Sequence, residues 1–124
     1  MKILAALALL AMSAIAADDG FAAWFPQFQA AVAKNDAKAI AGFARFPIDW
    51  ELGKVRRIET DADFFAHFAA YFPADMRKAV AQAKPVPIPD GYMLTWKARG
   101  DEYSLYFKKL SDRWILNGLS EGPP

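Results

Sequence analysis

Residues 92–119, YMLTWKARGDEYSLYFKKLSDRWILNGL, decide the fold of this 124-residue chain. Apolar and polar side chains alternate along the stretch, a pattern typical of strands that bury one face. The turn-forming segments RGDE (residues 99–102) and SD (residues 111–112) divide it into three parts. The stretch therefore predicts a three-stranded antiparallel meander.

Helical patterns precede the meander. Apolar side chains recur at helical spacing over residues 21–34, and a shorter helix is expected over residues 37–44 with Asp36 as its N-cap. Thr60 begins a third helical stretch, which continues to about Ala83. This stretch has the most strongly apolar face of the predicted helices. Four of its side chains are expected to share one face: Phe64, Phe65, Phe68 and Phe72.

Prolines set the expected boundaries between these elements. Pro26 would break the interior of the first helix, so regular helix is expected to begin near residues 23–25. Pro47 is expected to end the second helix and Pro73 to interrupt the third, because proline cannot donate a backbone hydrogen bond. Alternating prolines within residues 84–91 predict a stiff, extended connector.

The order of elements indicates the fold class. Helices come first and strands last, which predicts an α+β fold with N-terminal helices packed on one face of a curved antiparallel sheet. A short edge hairpin is expected from residues 48–52 and 55–59, joined by a turn at Gly53 and Lys54. The sequence shows neither internal repeats nor a low-complexity linker, so residues 17–124 are interpreted as a single domain.

The first sixteen residues, MKILAALALLAMSAIA, have the pattern of a secretory signal peptide. Lys2 supplies the positive start, an apolar run follows, and residues 14–16 (AIA) match a small-x-small cleavage site. The apolar run is shorter than the roughly 20 residues that a membrane-spanning helix needs. We therefore expect cleavage after Ala16 or Ala17, no membrane anchor afterwards, and a periplasmic location, with secretion as the alternative.

The composition argues against several classes of function. Fifteen basic and 14 acidic residues nearly cancel, whereas nucleic acids and anionic lipids require clustered positive charge, so no nucleic-acid partner is expected. The absence of cysteine excludes disulfides, thiolate catalysis and cysteine-ligated metals. His67 is the single histidine, so a zinc site would depend almost wholly on carboxylates; neither metal nor cofactor is expected.

Two segments carry a resemblance to a known family. Together with the order of elements, FQAAVAKNDAKAIAGFARFPI (residues 28–48) and YSLYFKKLSDRWILNGLSEG (residues 103–122) resemble small exported members of the NTF2-like (cystatin-like, SnoaL-type) superfamily. The resemblance implies a cone-shaped fold that encloses an apolar pocket, and frequent dimerisation through the outer face of the sheet. It does not fix the function, since the superfamily includes ligand carriers, isomerases and proteins without an assigned activity.

The leading functional hypothesis is a non-catalytic domain that binds a small apolar or amphipathic ligand in the cone. Aromatic residues make up 15% of the chain, and some are expected to line a cavity while most fill the core. Trp24, Trp96 and Phe107 are the candidate walls of the ligand site, and His67 and Tyr71 are its candidate polar rim.

Two other functions stay open. A protein-interaction module of the inhibitor or immunity type would use the outer sheet face around Thr95, Tyr106 and Lys108, which would also serve a homodimer. An acid/base enzyme of the isomerase type would need a carboxylate that faces the pocket. Asp49 and Glu51, which flank Trp50, are the acids that could point inward, and a solvated edge strand accounts for them equally well.

Residues 118–122 (GLSEG) match the G-x-S-x-G pattern of hydrolase nucleophile elbows. That motif requires a following helix and a histidine later in the chain. Here two prolines follow, and His67 lies upstream. The segment is therefore interpreted as a strand end, and no catalytic residue is assigned.

Overall fold

The computed structural model describes residues 19–123, so the expected signal peptide over residues 1–16 lies outside the described residues. The helices are α1 (Phe21–Ala33), α2 (Ala37–Gly42), α3 (Asp61–Ala66), α4 (Phe68–Tyr71) and α5 (Ala74–Gln82). The strands are β1 (Ala44–Leu52), β2 (Val55–Ile58), β3 (Val86–Ile88), β4 (Gly91–Ala98), β5 (Asp101–Leu110) and β6 (Arg113–Gly122).

The strands form one curved, open sheet in the order β2-β1-β6-β5-β4-β3. β1 and β6 run parallel, and the other neighbouring strands of residues 19–123 are antiparallel. The helices place their apolar side chains against the inner face of this sheet. The predicted α+β fold, with helices packed on a mostly antiparallel sheet, is confirmed.

The predicted meander corresponds to β4, β5 and β6. Leu94 pairs with Leu105, which in turn pairs with Leu119, so the inner face continues across all three strands. The register shifts between Tyr106 and Phe107, where a bulge lets two residues of one strand oppose one of the other. The alternation of buried and exposed side chains is therefore the local signal that sets the sheet.

The prediction for the start of the first helix was wrong. α1 begins at Phe21, five residues before Pro26, because tertiary contacts hold its first turn. The Phe21 N–H donates to Asp19 Oδ1 at 2.9 Å, and its ring stacks on Tyr92 with 3.9 Å between centroids. Pro26 and Ala22 are both exposed, so water can reach the Ala22 carbonyl that lost its helical donor.

The two predicted helix caps are confirmed, but the end of α2 was misplaced. The carboxylate of Asp36 accepts the Ala39 N–H, and the hydroxyl of Thr60 accepts the Asp63 N–H, both at 3.1 Å. α2 ends at Gly42, earlier than the expected residue 44.

The strand that follows α2 is also longer and more central than predicted. β1 begins at Ala44 and runs through Pro47, which falls between the paired positions Ala44 and Asp49 of the β1–β6 ladder. A missing N–H at Pro47 therefore costs no bond to β6. β1 lies between β2 and β6, so only β2 of the predicted edge hairpin forms the sheet edge.

The third helical stretch is divided at two places. Pro73 interrupts it as predicted, and a second break at His67, with φ −125°, separates α3 from α4. Phe64 is buried on the inner face, whereas Phe65 is 45% exposed. The prediction that Phe65 shares the buried face was wrong, because neighbouring helical side chains point about 100° apart.

The extended connector of residues 84–91 contains a short strand that was not predicted. β3 pairs with β4 in antiparallel register and forms the second edge of the sheet. Pro87 lies in its centre, and a proline there is compatible with an edge strand because such a strand needs hydrogen bonds on one side only.

Aromatic side chains fill the space between the helices and the sheet. Phe107 of β5 is 1% exposed and contacts four rings of α1 at centroid distances of 5.2 to 5.7 Å: Phe21, Trp24, Phe25 and Phe28. Trp50 of β1 is completely buried, and its indole N–H donates to the Tyr71 carbonyl at 3.2 Å. The centre of the domain is therefore occupied by its own side chains.

Gly91 is a position where the fold requires a glycine. A Cβ atom at residue 91 would overlap the backbone oxygen of Phe107 and come within 3.0 Å of the Lys108 Cα. We expect Gly91→Ala to lower the free energy of unfolding by ~1–3 kcal/mol or more, measured by urea denaturation. Gly42→Ala, in α2 with no atom within 4 Å of the added methyl, is the control and should be neutral or slightly stabilising. Equal effects of the two substitutions would contradict the close β4–β5 approach.

Phe64 and Phe65 provide a second matched test. Phe64→Ala removes a ring that is 2% exposed and packs between Phe46, Phe68 and Phe72, so it should cost ~3–5 kcal/mol. Phe65→Ala should cost much less, about 1 kcal/mol or below, because that residue is 45% exposed and lies outside the buried core. Thermal and urea unfolding measure both, and similar losses would show that the two rings share the core.

Candidate functional site

A cleft of ≈ 380 Å³ opens where the ends of β1, β4 and β6 meet α4 and the start of α5. Its lining residues come from four stretches of the chain: Leu52, Gly53, Ala70, Pro73, Arg99, Asp101, Tyr103 and Glu121. The first four form a mostly apolar wall, and the last four form a polar wall. The cleft is therefore amphipathic.

The sheet topology brings these segments together. Because β1 and β6 are parallel, their C-terminal ends lie at the same end of the sheet and bring Leu52 close to Glu121. β5 is antiparallel to β6 and therefore starts there, at Asp101. The β4–β5 turn brings Arg99 to the same end of the sheet. The backbone of Arg99 adopts the left-handed conformation there, with φ 53°.

Glu121 is held on both carboxylate oxygens. Its Oε1 accepts the backbone N–H of Gly53 at 2.9 Å, and its Oε2 accepts the hydroxyl of Tyr103 at 2.9 Å. The Gly53 N–H, followed by the Tyr103 hydroxyl, lowers the pKa of Glu121, because both bonds favour the ionised form. Glu121 is therefore ionised at neutral pH.

Arg99 connects the polar wall to α5. Its Nε donates to the Tyr103 hydroxyl at 3.3 Å, its guanidinium lies 4.7 Å from the Tyr103 ring centre, and its Nη1 pairs with Asp75. The indole N–H of Trp96 donates to the other oxygen of Asp75 at 3.0 Å. Burial opposes ionisation of Asp75, but the bonds from Trp96 and Arg99 outweigh it and lower its pKa. The charge of Arg99 is therefore balanced within the protein.

Asp101 and Glu121 form a pair of unequal acids. The hydrogen bond to the Glu121 carboxylate, together with burial, raises the pKa of Asp101, and the charge of Arg99 only partly opposes this effect. Burial similarly raises the pKa of Tyr103, which keeps its hydroxyl proton as the donor to Glu121. A proton that reaches this pair is therefore held on Asp101.

The five residues predicted to bind a ligand lie in three separate places. Trp24 and Phe107 contact each other in the core, with 5.7 Å between ring centroids. His67 Nδ1 and the Tyr71 hydroxyl meet on the carboxylate of Asp63, at 3.0 and 2.9 Å, on α3 and α4.

Trp96 lies nearest to the cleft. It stacks on Tyr103 with 5.6 Å between centroids, behind the polar wall. None of the five predicted residues lines the cleft itself, and their role in binding stays a prediction.

The three residues predicted to form an interface do share the outer face of the sheet. Thr95 is exposed, and Tyr106 and Lys108 are half-buried. Thr95 bonds to Ser104 at 3.2 Å, and Tyr106 bonds to Ser120 at 3.1 Å, so hydroxyl groups are paired across the strands. Use of this face by a partner or a second copy stays a prediction.

Asp49 and Glu51 point away from the core, which agrees with the solvated-strand alternative and not with the inward orientation that an acid/base enzyme would need. Trp50 between them is buried, and alternation along β1 turns both acids outward. Asp49 approaches Arg57 at 3.5 Å, and Glu51 accepts the backbone N–H of Glu121 at 3.3 Å. Neither carboxylate is placed for acid/base chemistry in the interior of the domain.

Sequence reasoning missed Asp101 and Glu121. Asp101 was assigned to a turn and Glu121 to the end of a strand, although both lie within strands of the sheet. A usable signal was present, since each lies two residues from a buried inner-face residue, Tyr103 or Leu119. The GLSEG segment forms the end of β6, as interpreted from sequence.

Within residues 19–123, no three acidic or histidine side chains come together as metal ligands. No helix in this part of the chain has the length and apolar character needed to cross a bilayer.

The Asp101–Glu121 pair can be tested by titration. Replacing Glu121 by glutamine removes the negative neighbour, so the pKa of Asp101 should fall toward its ordinary value. NMR titration of the side-chain carboxyl carbons measures this shift. Glu102→Gln removes the same charge from the adjacent residue and should leave the Asp101 titration unchanged. An unaltered Asp101 curve in Glu121→Gln would show that the two acids are not paired.

No protein-family model, curated protein or solved structure matched this chain. The resemblance to the NTF2-like superfamily therefore stays a prediction.

Proposed function

We propose that this protein is an exported, non-catalytic domain that binds a small amphipathic ligand in the cleft at the end of its sheet where β1 and β6 finish and β5 begins. One observation carries the proposal. Leu52, Ala70 and Pro73 contribute apolar surface to a cleft of ≈ 380 Å³ that the acids Asp101 and Glu121 also line. That volume falls within the ~300–1,000 Å³ range of small-molecule sites.

The packing of the core supports the cleft over the interior as the binding place. Trp50, Phe28, Phe72 and Phe107 are each at most 1% exposed and occupy the centre between helices and sheet. A ligand there would have to displace close-packed rings, at a cost of several kcal/mol for each large side chain. A ligand in the cleft displaces water alone.

The lining residues support binding over catalysis. The Tyr103 hydroxyl already accepts from Arg99 and donates to Glu121, and both oxygens of Glu121 hold protein donors. The eight residues that line the cleft in the described part of the chain include no histidine, serine or lysine. These groups are suited to fixing the orientation of a ligand, since each is itself held in place.

A blocking substitution tests this proposal. The neutral amphipathic dye N-phenyl-1-naphthylamine should bind the mature protein saturably, with a rise in dye fluorescence. Ala70→Trp places an indole in the cleft and should weaken dye binding at least tenfold. Ala81→Trp, on an exposed position of α5 outside the cleft, is the control and should bind like the unchanged protein.

Circular dichroism establishes that both tryptophan variants are folded before the dye is added. A folded Ala70→Trp variant with undiminished dye affinity would rule out the cleft as the binding place. Equal loss of affinity in both variants would have the same meaning, because the effect would then not be local.

A further inference from the structure

We infer that the cleft selects ligands whose polar end is a protonated primary amine, held by the carboxylates of Asp101 and Glu121. The inference rests on the proposed function, and it adds the chemical class of the ligand. Three features support it. The charges around the cleft are mostly negative, the carboxylate oxygens keep lone pairs that can accept further hydrogen bonds, and the Tyr103 ring is already covered by other side chains.

The charges around the cleft leave an excess of negative groups. Arg99 is paired with Asp75, so it contributes little positive charge to the cleft. A second depression of ≈ 370 Å³ adjoins the first, shares Asp101 and Glu121, and adds Glu51 and Arg56 to the surroundings. Three carboxylates therefore face one guanidinium, and an anionic ligand would be repelled.

That remaining guanidinium is also held by the protein. Arg56 Nη1 donates to the carbonyl oxygens of Gly53 and Val55, at 2.8 and 2.9 Å. These bonds direct it to the β1–β2 turn. Its charge lowers the pKa of Glu121 but does not fill the space beside that carboxylate.

The acceptor geometry suits a group with several hydrogen-bond donors. Each oxygen of Glu121 accepts one protein donor and retains a second lone pair. Asp101 is its diagonal neighbour on the same face of the β5–β6 pair and lines the same two depressions. An ammonium group has three N–H donors and a full positive charge, so it can reach both acids at once. An alcohol can donate a single, uncharged bond.

The aromatic ring at the site is already covered. Arg99 lies over the Tyr103 ring, Trp96 stacks against it, and the residue is 1% exposed. A quaternary ammonium ion, which binds through open aromatic faces, finds none on Tyr103. The site should therefore prefer a primary amine with N–H donors over its trimethylated form.

Four ligands that share a phenethyl group and differ in their polar end test the inference: phenethylamine, trimethyl(phenethyl)ammonium, 2-phenylethanol and 3-phenylpropionate. Each is titrated into ¹⁵N-labelled mature protein, with the amide shifts of the cleft residues as the signal. We expect phenethylamine to bind at least tenfold more tightly than the alcohol and at least fivefold more tightly than the trimethylated ion. The carboxylate should give no saturable shift at the cleft.

Charge-neutral variants locate the effect. Asp101→Asn and Glu121→Gln should each remove most of the tenfold preference for amine over alcohol. Glu102→Gln, the same change at the neighbouring position of β5, should keep it. Because Glu121 also bonds to Gly53 and Tyr103, its substitution can affect folding. If Glu121→Gln fails to fold, the variant at Asp101, which makes neither of these bonds, decides between the outcomes.

The outcomes separate the two proposals. Equal binding of amine and alcohol, with both blocked by Ala70→Trp, would overturn the amine preference and leave the binding cleft standing. An amine preference that survives Asp101→Asn would overturn the assigned carboxylates. Absence of shifts at the cleft with all four ligands would overturn both proposals.

Discussion

The parallel pairing of β1 with β6 is the constraint on which the rest of the structure depends. It joins the β1–β2 hairpin to the sheet formed by β3 to β6. Gly118 of β6 pairs with Asp49 of β1. A Cβ atom at residue 118 would lie 3.1 Å from the Asp49 carbonyl oxygen, so a glycine there permits the two strands to approach closely. The same pairing carries the Gly53 N–H to the Glu121 carboxylate, and it therefore builds the cleft as well as the fold.

The opposite end of the sheet is closed by the first described residue. Asp19 accepts bonds from the Phe21 N–H, the Tyr92 hydroxyl at 2.6 Å and, through its carbonyl, the Trp114 indole at 2.7 Å. The bond to Asp19 raises the pKa of Tyr92 to about 12, so this contact keeps its proton at neutral pH. These contacts fix α1 over the centre of the sheet, at the end opposite the cleft.

The features that the sequence predicted correctly depend on interactions between near neighbours along the chain. The features that it did not predict depend on contacts between residues far apart in the chain. Alternation along β4 to β6, and caps at Asp36 and Thr60, depend on near neighbours and were read correctly. The early start of α1 depends on tertiary packing, since Phe21 stacks on Tyr92 of β4, and this contact outweighs local preference. The cleft joins Gly53 to Glu121, 68 positions away, through a parallel pairing that carries no sequence signal of its own.

The hydrogen bonds of the polar wall form one chain across the molecule. It runs from Trp96 to Asp75, then through Arg99 and Tyr103 to Glu121, and so links α5 to the β1–β2 turn. Each member is held by at least one other, so the acceptors are in position before any ligand arrives. For the proposed ligand site, such preorganisation would lower the entropic cost of binding and let a cleft of modest size discriminate by charge. The Asp75–Arg99 pair leaves the cleft with an excess of negative charge, because it neutralises the guanidinium that would otherwise offset Asp101 and Glu121.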